Sequence, residues 1–388
     1  MQFKTNYTME NHLKILFIIF IPLLFSGCKD ITSKQDLSKN IILSTQLDSL
    51  VNSNYQNNLF SGSVLVADKG KILLNKEYGF QGLDSTKPIT SESVFEIASL
   101  SKQFTAVLII MLKEDEKLDY DDNILKYFPN LPYDNITIRH LLTHSSGLSE
   151  KEFFMWAGQN MDPTKIYTNK LIISYLEQEK PELAYVPGTK WEYSNVGYFL
   201  LALILEQITE KHYIQLLNEK IFDRLEMANT GIFSQDHKGN KMDNYVFGKV
   251  FNPADSVYVS SFGMAWSDSL YGGVGILSNT TDLFKWDRAL NDNRLVNQQI
   301  LLEAFDPFIL SDGSSSEYGF GWYVREDYMI NGEKCGKRVD HNGLWPGYES
   351  SIVRYNEKDK TIIILSNQAP SSKDKLVEEI SKLLFEKN

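Results

Sequence analysis

Strand-like segments at both ends of the chain bracket a long helical middle, and this arrangement constrains the fold most. Near the start, Ser61–Ala67 and Ile72–Gly79 are β-rich runs joined by Asp68-Lys-Gly-Lys71, a tetrapeptide that favours a hairpin. Near the end, Tyr318–Arg325 and Cys335–Asp340 read as strands, and Ser350–Tyr355 pairs with Thr361–Ser366 across Asn356–Lys360. Helical spacing marks Ile41–Asn54 before the first group and Lys373–Phe385 after the last. The simplest assembly joins the early hairpin to the late strands in one antiparallel sheet. The middle then becomes an inserted helical lobe, with a cleft where the lobes meet. The expected class is α/β, of the α+β type. The sheet lobe covers about 41–98 and 311–388, and the helical lobe about 99–310.

The helical middle opens on Phe95-Glu-Ile-Ala-Ser-Leu-Ser-Lys102. From Leu100 to Leu112 the helix is apolar on nearly every face, so it is expected to be buried on all sides. Ser99 falls at or before its first turn, and Lys102 follows three residues later on the same face. A hydroxyl is a poor nucleophile until a base takes its proton. An amine can serve only where burial or a cation lowers its pKa from about 10.4. The pattern Ser-x-x-Lys also occurs at Ser26/Lys29 and Ser372/Lys375, but only Ser99 opens a buried helix. The competing reading of Ser99 is a simple helix cap.

Further along, Pro187-Gly-Thr-Lys-Trp-Glu-Tyr-Ser-Asn195 is a turn and a short polar segment leading into the apolar helix Val196–Ile208. Tyr193 and Asn195 are two apart, which in an extended segment directs both to one side. His140 and His144 stand at i and i+4 in the short helix 136–148. They lack the intervening Glu and third ligand of a zinc site, so no metal is expected. Gly272-Gly-Val-Gly275 does not make a dinucleotide fingerprint and reads as close backbone packing. No cofactor is expected.

At the N-terminus, Ile15–Phe25 is uncharged and too short to span a membrane, which takes about 20 residues. It fits the core of a secretory leader, residues 1–28, and Met9 would start a more compact one. The run ends Leu24-Phe-Ser-Gly-Cys28, which resembles a bacterial lipobox and makes Cys28 the candidate lipidation residue. Polar residues 29–40 read as a tether, leaving 41–388 as the catalytic domain. The expectation is an exported lipoprotein facing the periplasm or cell exterior, touching membrane only through its anchor. The net charge of −11 argues against a nucleic-acid partner. Cys335 is the only other cysteine, so no internal disulfide is expected.

Three motifs in order, Ser99-x-x-Lys102, Tyr193-Ser-Asn195 and His341-Asn-Gly343, make the chain similar to the penicillin-recognising serine enzymes. These are the class C β-lactamases, DD-peptidases and their esterase and amidase relatives. The resemblance runs from about Asn40 to the C-terminus. It implies a β-lactamase/transpeptidase-like fold, an antiparallel sheet flanked by helices with the active site in the cleft. It also implies Ser99 as nucleophile, Lys102 as its electropositive partner, and Tyr193 as general base if neighbouring cations favour its phenolate. By the same resemblance, Asn195, His341, Asn342, Gly343 and Leu344 bind substrate, with the backbone N–H groups of Ser99 and Leu344 as oxyanion donors. In β-lactamases and DD-peptidases the third motif is usually Lys-Thr-Gly. A histidine there is only partly charged near neutrality, which favours esters, amides or peptides with less need of a carboxylate clamp. Leu344 and Trp345 suggest an apolar pocket wall. The expected substrate is a small molecule or peptide, such as a D-alanyl peptide, β-lactam or small ester. The alternative is an idle relative that binds cell-wall fragments or a protein, but such a copy would be expected to lose Ser99, Lys102 or Tyr193.

Overall fold

A computed structural model describes residues 27–162, 164–232, 244–260 and 269–386. Most of the expected leader, 1–28, lies outside them, as does His237-Lys-Gly239, which repeats the His-x-Gly pattern. In chain order the helices are α1 (Gly27–Gln56), α2 (Ser101–Glu114), α3 (Ile138–Leu142), α4 (Glu150–Asn160), α5 (Lys170–Glu179), α6 (Asn195–Thr209), α7 (Tyr213–Leu217), α8 (Thr280–Ala289), α9 (Gln298–Leu301) and α10 (Lys373–Leu384). The strands are β1 (Gly62–Asp68), β2 (Lys71–Tyr78), β3 (Phe95–Glu96), β4 (Gly231–Ile232), β5 (Lys249–Asn252), β6 (Val257–Ser260), β7 (Ile276–Ser278), β8 (Tyr323–Arg325), β9 (Met329–Ile330), β10 (Glu333–Lys334), β11 (Arg338–Trp345), β12 (Tyr348–Tyr355), β13 (Lys360–Ser366) and β14 (Gln368–Ala369). Residues 29–40, expected as a tether, fall within the range of α1.

The main sheet has the order β2-β1-β13-β12-β11-β8. The early hairpin does join the late strands, through an antiparallel pairing of β1 with β13 that sets Gly62 opposite Ser366 and Asp68 opposite Lys360. Alternating side chains divide between two cores, as the period of two requires. Val64, Val66, Ile362 and Ile364 pack with Leu47, Val51, Leu376 and Ile380 of α1 and α10. Leu65, Ile363 and Leu365 face the other way, toward the core that holds Phe104 and Leu108 of α2. Both faces are covered, which explains why β1 and β13 read as nearly unbroken apolar runs.

The helical lobe departs from expectation in three places. Strands β4, β5, β6 and β7 lie within 99–310 and form short sheets with strands from outside it: β7 pairs with β3 and β4, and β5 pairs with β6 and β14. Helix α8 belongs with the main sheet, since Thr280 and Thr281 bond Asn75 of β2 and the fully buried Asp287 pairs with Arg354 of β12 at 2.7 Å. Helix α3 ends at Leu142, before His144 and Gly147 take left-handed φ of 57° and 77°. In the sheet lobe, Tyr318–Arg325 is a strand only over β8. A Cβ at Gly319 would stand 2.2 Å from the Ala304 carbonyl, and Gly321 (φ 80°) lies against the backbone of Gln103. The chain folds tightly there, with the Gly319 N–H donating to the Trp322 carbonyl.

Candidate active site

Ser99 sits in a single 3-10 turn, Ala98–Leu100, which runs directly into α2. Ala98 enters that turn with φ of 49°, a left-handed conformation that costs a residue with a Cβ about 1–2 kcal/mol. Its N–H is held at 3.0 Å by the buried Glu96 carboxylate. Ser99 is half-buried and caps neither helix, since the N-cap residues are Ile97 and Leu100 and neither turn has a side-chain cap. The capping reading therefore does not apply.

Lys102, in the first turn of α2, is fully buried. Its Nζ is 3.1 Å from Ser99 Oγ, 2.5 Å from Asn195 Oδ1 and 2.9 Å from the Gly273 carbonyl. Burial lowers its pKa to about 7, against an opposing pull from the Glu150 carboxylate. Tyr193 lies near enough to Ser99 for the serine to act on its phenol, and Lys102 Nζ lies 4.8 Å from its ring centre. The sequence reading required cations to favour a phenolate here. The balance goes the other way: burial pushes the Tyr193 phenol well above its ordinary value, outweighing the effect of Ser99, which lowers it. The two groups expected as cation and phenolate are thus biased toward amine and phenol.

Asn195 stands at the N-terminus of α6 and is already engaged. Its Oδ1 meets Lys102, while its Nδ2 and backbone N–H donate to Glu150 at 2.9 and 2.7 Å. Instead of reaching into open space, the side chain bridges α2 and α4.

The third motif lies on β11, which pairs with β12 along its whole length but with β8 only over 338–340. Among the described residues no strand pairs with its other edge from His341 onward. His341 is buried, with Nδ1 at 2.7 Å from the Asn342 carbonyl and Nε2 at 2.9 Å from the Tyr318 hydroxyl. A carbonyl can only accept, so Nδ1 carries the proton and Nε2 accepts from Tyr318. Burial, with Lys102 nearby, lowers the His341 pKa to about 3. It is held uncharged, and both ring nitrogens are engaged within the protein. Asn342 points to the opposite face, where its Oδ1 accepts from Lys373 of α10 at 3.0 Å. Its expected place as a substrate contact is not supported, because successive strand residues face opposite ways. Gly343 presses on the turn before Ser99: a Cβ there would lie 2.4 Å from the Ile97 carbonyl. The Leu344 side chain is 70 % exposed on the Asn342 side of the strand, so it lines no wall, while Trp345 packs against the main core. The two-residue turn Pro346-Gly347 makes Trp345 and Tyr348 the closing hydrogen-bonded pair. By alternation the Leu344 N–H points away from β12.

Other side chains complete the site. Glu150 follows the cap residue Ser149 of α4 and holds Asn195. Gly273 supplies a carbonyl to Lys102 because a side chain there would crowd Asn195 Oδ1 at 2.9 Å. The glycine-rich turn was read as close packing, which it is; its electrostatic use was not legible. His144 lies tilted against Tyr193, with ring centres 4.2 Å apart, and accepts the Ser194 N–H at Nδ1; burial, with Lys102 nearby, holds it neutral. His140 closes a capping box with Thr137. Both histidines are in structural use, and no cluster of three metal-type ligands occurs among the described residues.

A family model described as Beta-lactamase matches residues 47–385. The chain is 35 % identical over 315 residues to Penicillin-binding protein 4* of Bacillus subtilis (strain 168), covering 80 % of this chain and 68 % of the relative. Among solved structures it is similar to the octameric penicillin-binding protein homologue from Pyrococcus abyssi, with TM-score 0.75 and 25 % identity over 89 % of this chain and 78 % of that one. A class C β-lactamase shares the fold with TM-score 0.71 and 22 % identity, over 89 % of this chain and 97 % of that one. With the motifs, the fold and these likenesses in agreement, the chain belongs to the Beta-lactamase family, whose members are serine hydrolases that include β-lactamases and penicillin-binding proteins.

Proposed function

We propose that the protein is a serine hydrolase that forms an acyl-enzyme on Ser99, acting on esters or amides that need no carboxylate clamp. The observation that carries this reading is the setting of Lys102 Nζ. Two of its directions are taken by Asn195 Oδ1 and the Gly273 carbonyl, and the third meets Ser99 Oγ at 3.1 Å. An uncharged amine presents its lone pair along that third direction.

In this reading Lys102 takes the Ser99 proton as Oγ attacks the carbonyl carbon. The backbone N–H groups of Ser99 and Leu344 hold the oxyanion. Removing one such donor costs about 3–4 kcal/mol in enzymes where it has been measured. The proton then passes to the leaving group through the Tyr193 hydroxyl, which acts as a relay because burial keeps it a phenol. The leaving group departs protonated, and water repeats the sequence to free the acid and restore Ser99.

The uncharged, fully engaged His341 offers no cation to a substrate carboxylate. That favours small esters and uncharged amides over penicillins and D-alanyl peptides. The leader residues ending at Cys28 support export and lipid anchoring of this domain.

Intact mass of the domain mixed with an activated ester or with a penicillin, with Ser99→Ala alongside, tests the reading. Ester turnover that is lost in Ser99→Ala, with penicillin left intact, is the expected result. Rapid penicillin consumption overturns the substrate preference. Full ester turnover by Ser99→Ala overturns the mechanism.

A further inference from the structure

We propose that Glu150 is a positioning residue that sets both the orientation of Asn195 and the protonation balance at Lys102, and so controls the acidic limb of the reaction at Ser99. The proposal deepens the serine-hydrolase reading above and rests on it for its kinetic arm.

Glu150 is half-buried at the first position of α4. Its two carboxylate oxygens receive two donors of one residue, Asn195 N–H on Oε2 at 2.7 Å and Asn195 Nδ2 on Oε1 at 2.9 Å. The backbone bond serves α6, whose own N-cap Ser194 makes no side-chain cap, so Glu150 satisfies one of the N–H groups that the first turn leaves unpaired. The side-chain bond does something more specific. An amide can present either its oxygen or its NH2 to a neighbour. A carboxylate accepts only, so the Asn195 NH2 must face Glu150 and the oxygen must face Lys102. The Lys102 ammonium donates only, which reinforces the same choice. If the amide turned over, NH2 would meet the amine and one of the two fixed acceptors of Nζ would vanish. The third direction of Nζ, toward Ser99 Oγ, depends on the other two.

The second effect is charge. Lys102 is reached by His144 behind α3, His341 of β11, and the rings of Tyr193 and of Tyr198 in α6. Both histidines are held neutral by burial and both phenols are held protonated. Among the described residues Glu150 is the only group whose charge acts to raise the Lys102 value. It therefore works against burial and keeps the amine titrating near neutrality. Remove its charge and the amine loses its proton at lower pH.

The test follows Ser99 labelling by a fluorophosphonate from pH 5 to 9 in the wild type, Glu150→Gln and Glu150→Asp, with thermal unfolding to establish that each variant folds. Glu150→Gln should label more slowly at its plateau while its ascending limb moves to lower pH, so that the ratio of rates at pH 5.5 and 8 rises about threefold or more. Glu150→Asp keeps the charge but is one methylene short of the bidentate contact. It should lose plateau rate and keep the limb where it was. Titration of the Lys102 amine by 15N-lysine NMR, assigned by its loss in Lys102→Arg, should show the same displacement in Glu150→Gln. A uniform loss at every pH, with the Lys102 titration unmoved, would overturn the proposal and leave Glu150 an ordinary cap. If the wild type does not label at Ser99, the serine-hydrolase reading fails, while the NMR titration still decides for or against Glu150.

Discussion

Replacing Gly343 by Ala should disable Ser99 from across the cleft. Gly343 lies on β11 with no side chain, and a Cβ built there would stand 2.4 Å from the Ile97 carbonyl, 3.1 Å from Ala98 Cβ and 2.1 Å from Ser350 Oγ. The serine hydroxyl can rotate, but it is tied to the Ile97 carbonyl at 2.8 Å, and the carbonyl is backbone. To reach even a tight 3.0 Å, strand and turn must part by about 0.6 Å. Ile97 and Ala98 immediately precede Ser99, so the displacement falls on the proposed oxyanion gap between the Ser99 and Leu344 N–H groups. Misplacement by about 1 Å can cost 10²-fold in rate, so a loss of about 10–10²-fold in fluorophosphonate labelling is expected. Overpacking should also cost about 1–3 kcal/mol of stability. The control is Gly158→Ala in α4, where a Cβ meets nothing within 4 Å; it should keep the labelling rate and gain about 0.5–1 kcal/mol from helix propensity. Labelling of Gly343→Ala at the wild-type rate would refute the view that this contact sets the width of the oxyanion gap.

The remaining expectations concern protonation, strand facing and the buried ion pair. Burial lowers Lys102 to about 7, and in the proposed mechanism the uncharged form is the active one, so Ser99 acylation should rise with pH through about 7 and then level. Because Tyr193 titrates well above 10, it should add no falling limb below that pH; a bell-shaped profile peaking near pH 7 would contradict the assignment. Asn342→Ala should leave the labelling rate unchanged, since Asn342 faces Lys373 and not Ser99, and should cost about 1 kcal/mol in urea unfolding. Asp287→Ala strips the buried Arg354 of its carboxylate and should cost about 3–5 kcal/mol, read from the urea midpoint; a cost under 1 kcal/mol would show that Asn291, which also accepts from Arg354, suffices.

The parts of this protein that depend on local pattern were legible in its residues. The hairpin β1–β2, the apolar helices α2 and α6, the hairpin β12–β13 and the closing α10 all follow from periodicity and turn chemistry. The pairing of early and late strands followed because an antiparallel sheet is the simplest way to bury both groups. Ser99 and Lys102 are neighbours by helix geometry alone. Tyr318–Arg325 was misread because its apolar alternation says strand, while close approach of Gly319 and Gly321 to other backbone forces a turn. That approach comes from residues far away in the chain.

The site shows the same division. Sequence by itself determined which chemical groups exist and the order in which the chain delivers them: a hydroxyl and an amine three residues apart, a phenol before α6, and a glycine-bearing strand near the end. Tertiary structure alone decided which of them are charged and which are free. Lys102 loses its water because α2 is buried from every side, His341 is neutral because burial and the nearby Lys102 disfavour its charged form, and Asn195 is turned toward Lys102 by Glu150, 45 residues away in sequence. Desolvation and hydrogen-bond partners are properties of what surrounds a group in space, and residue spacing along the chain does not encode them.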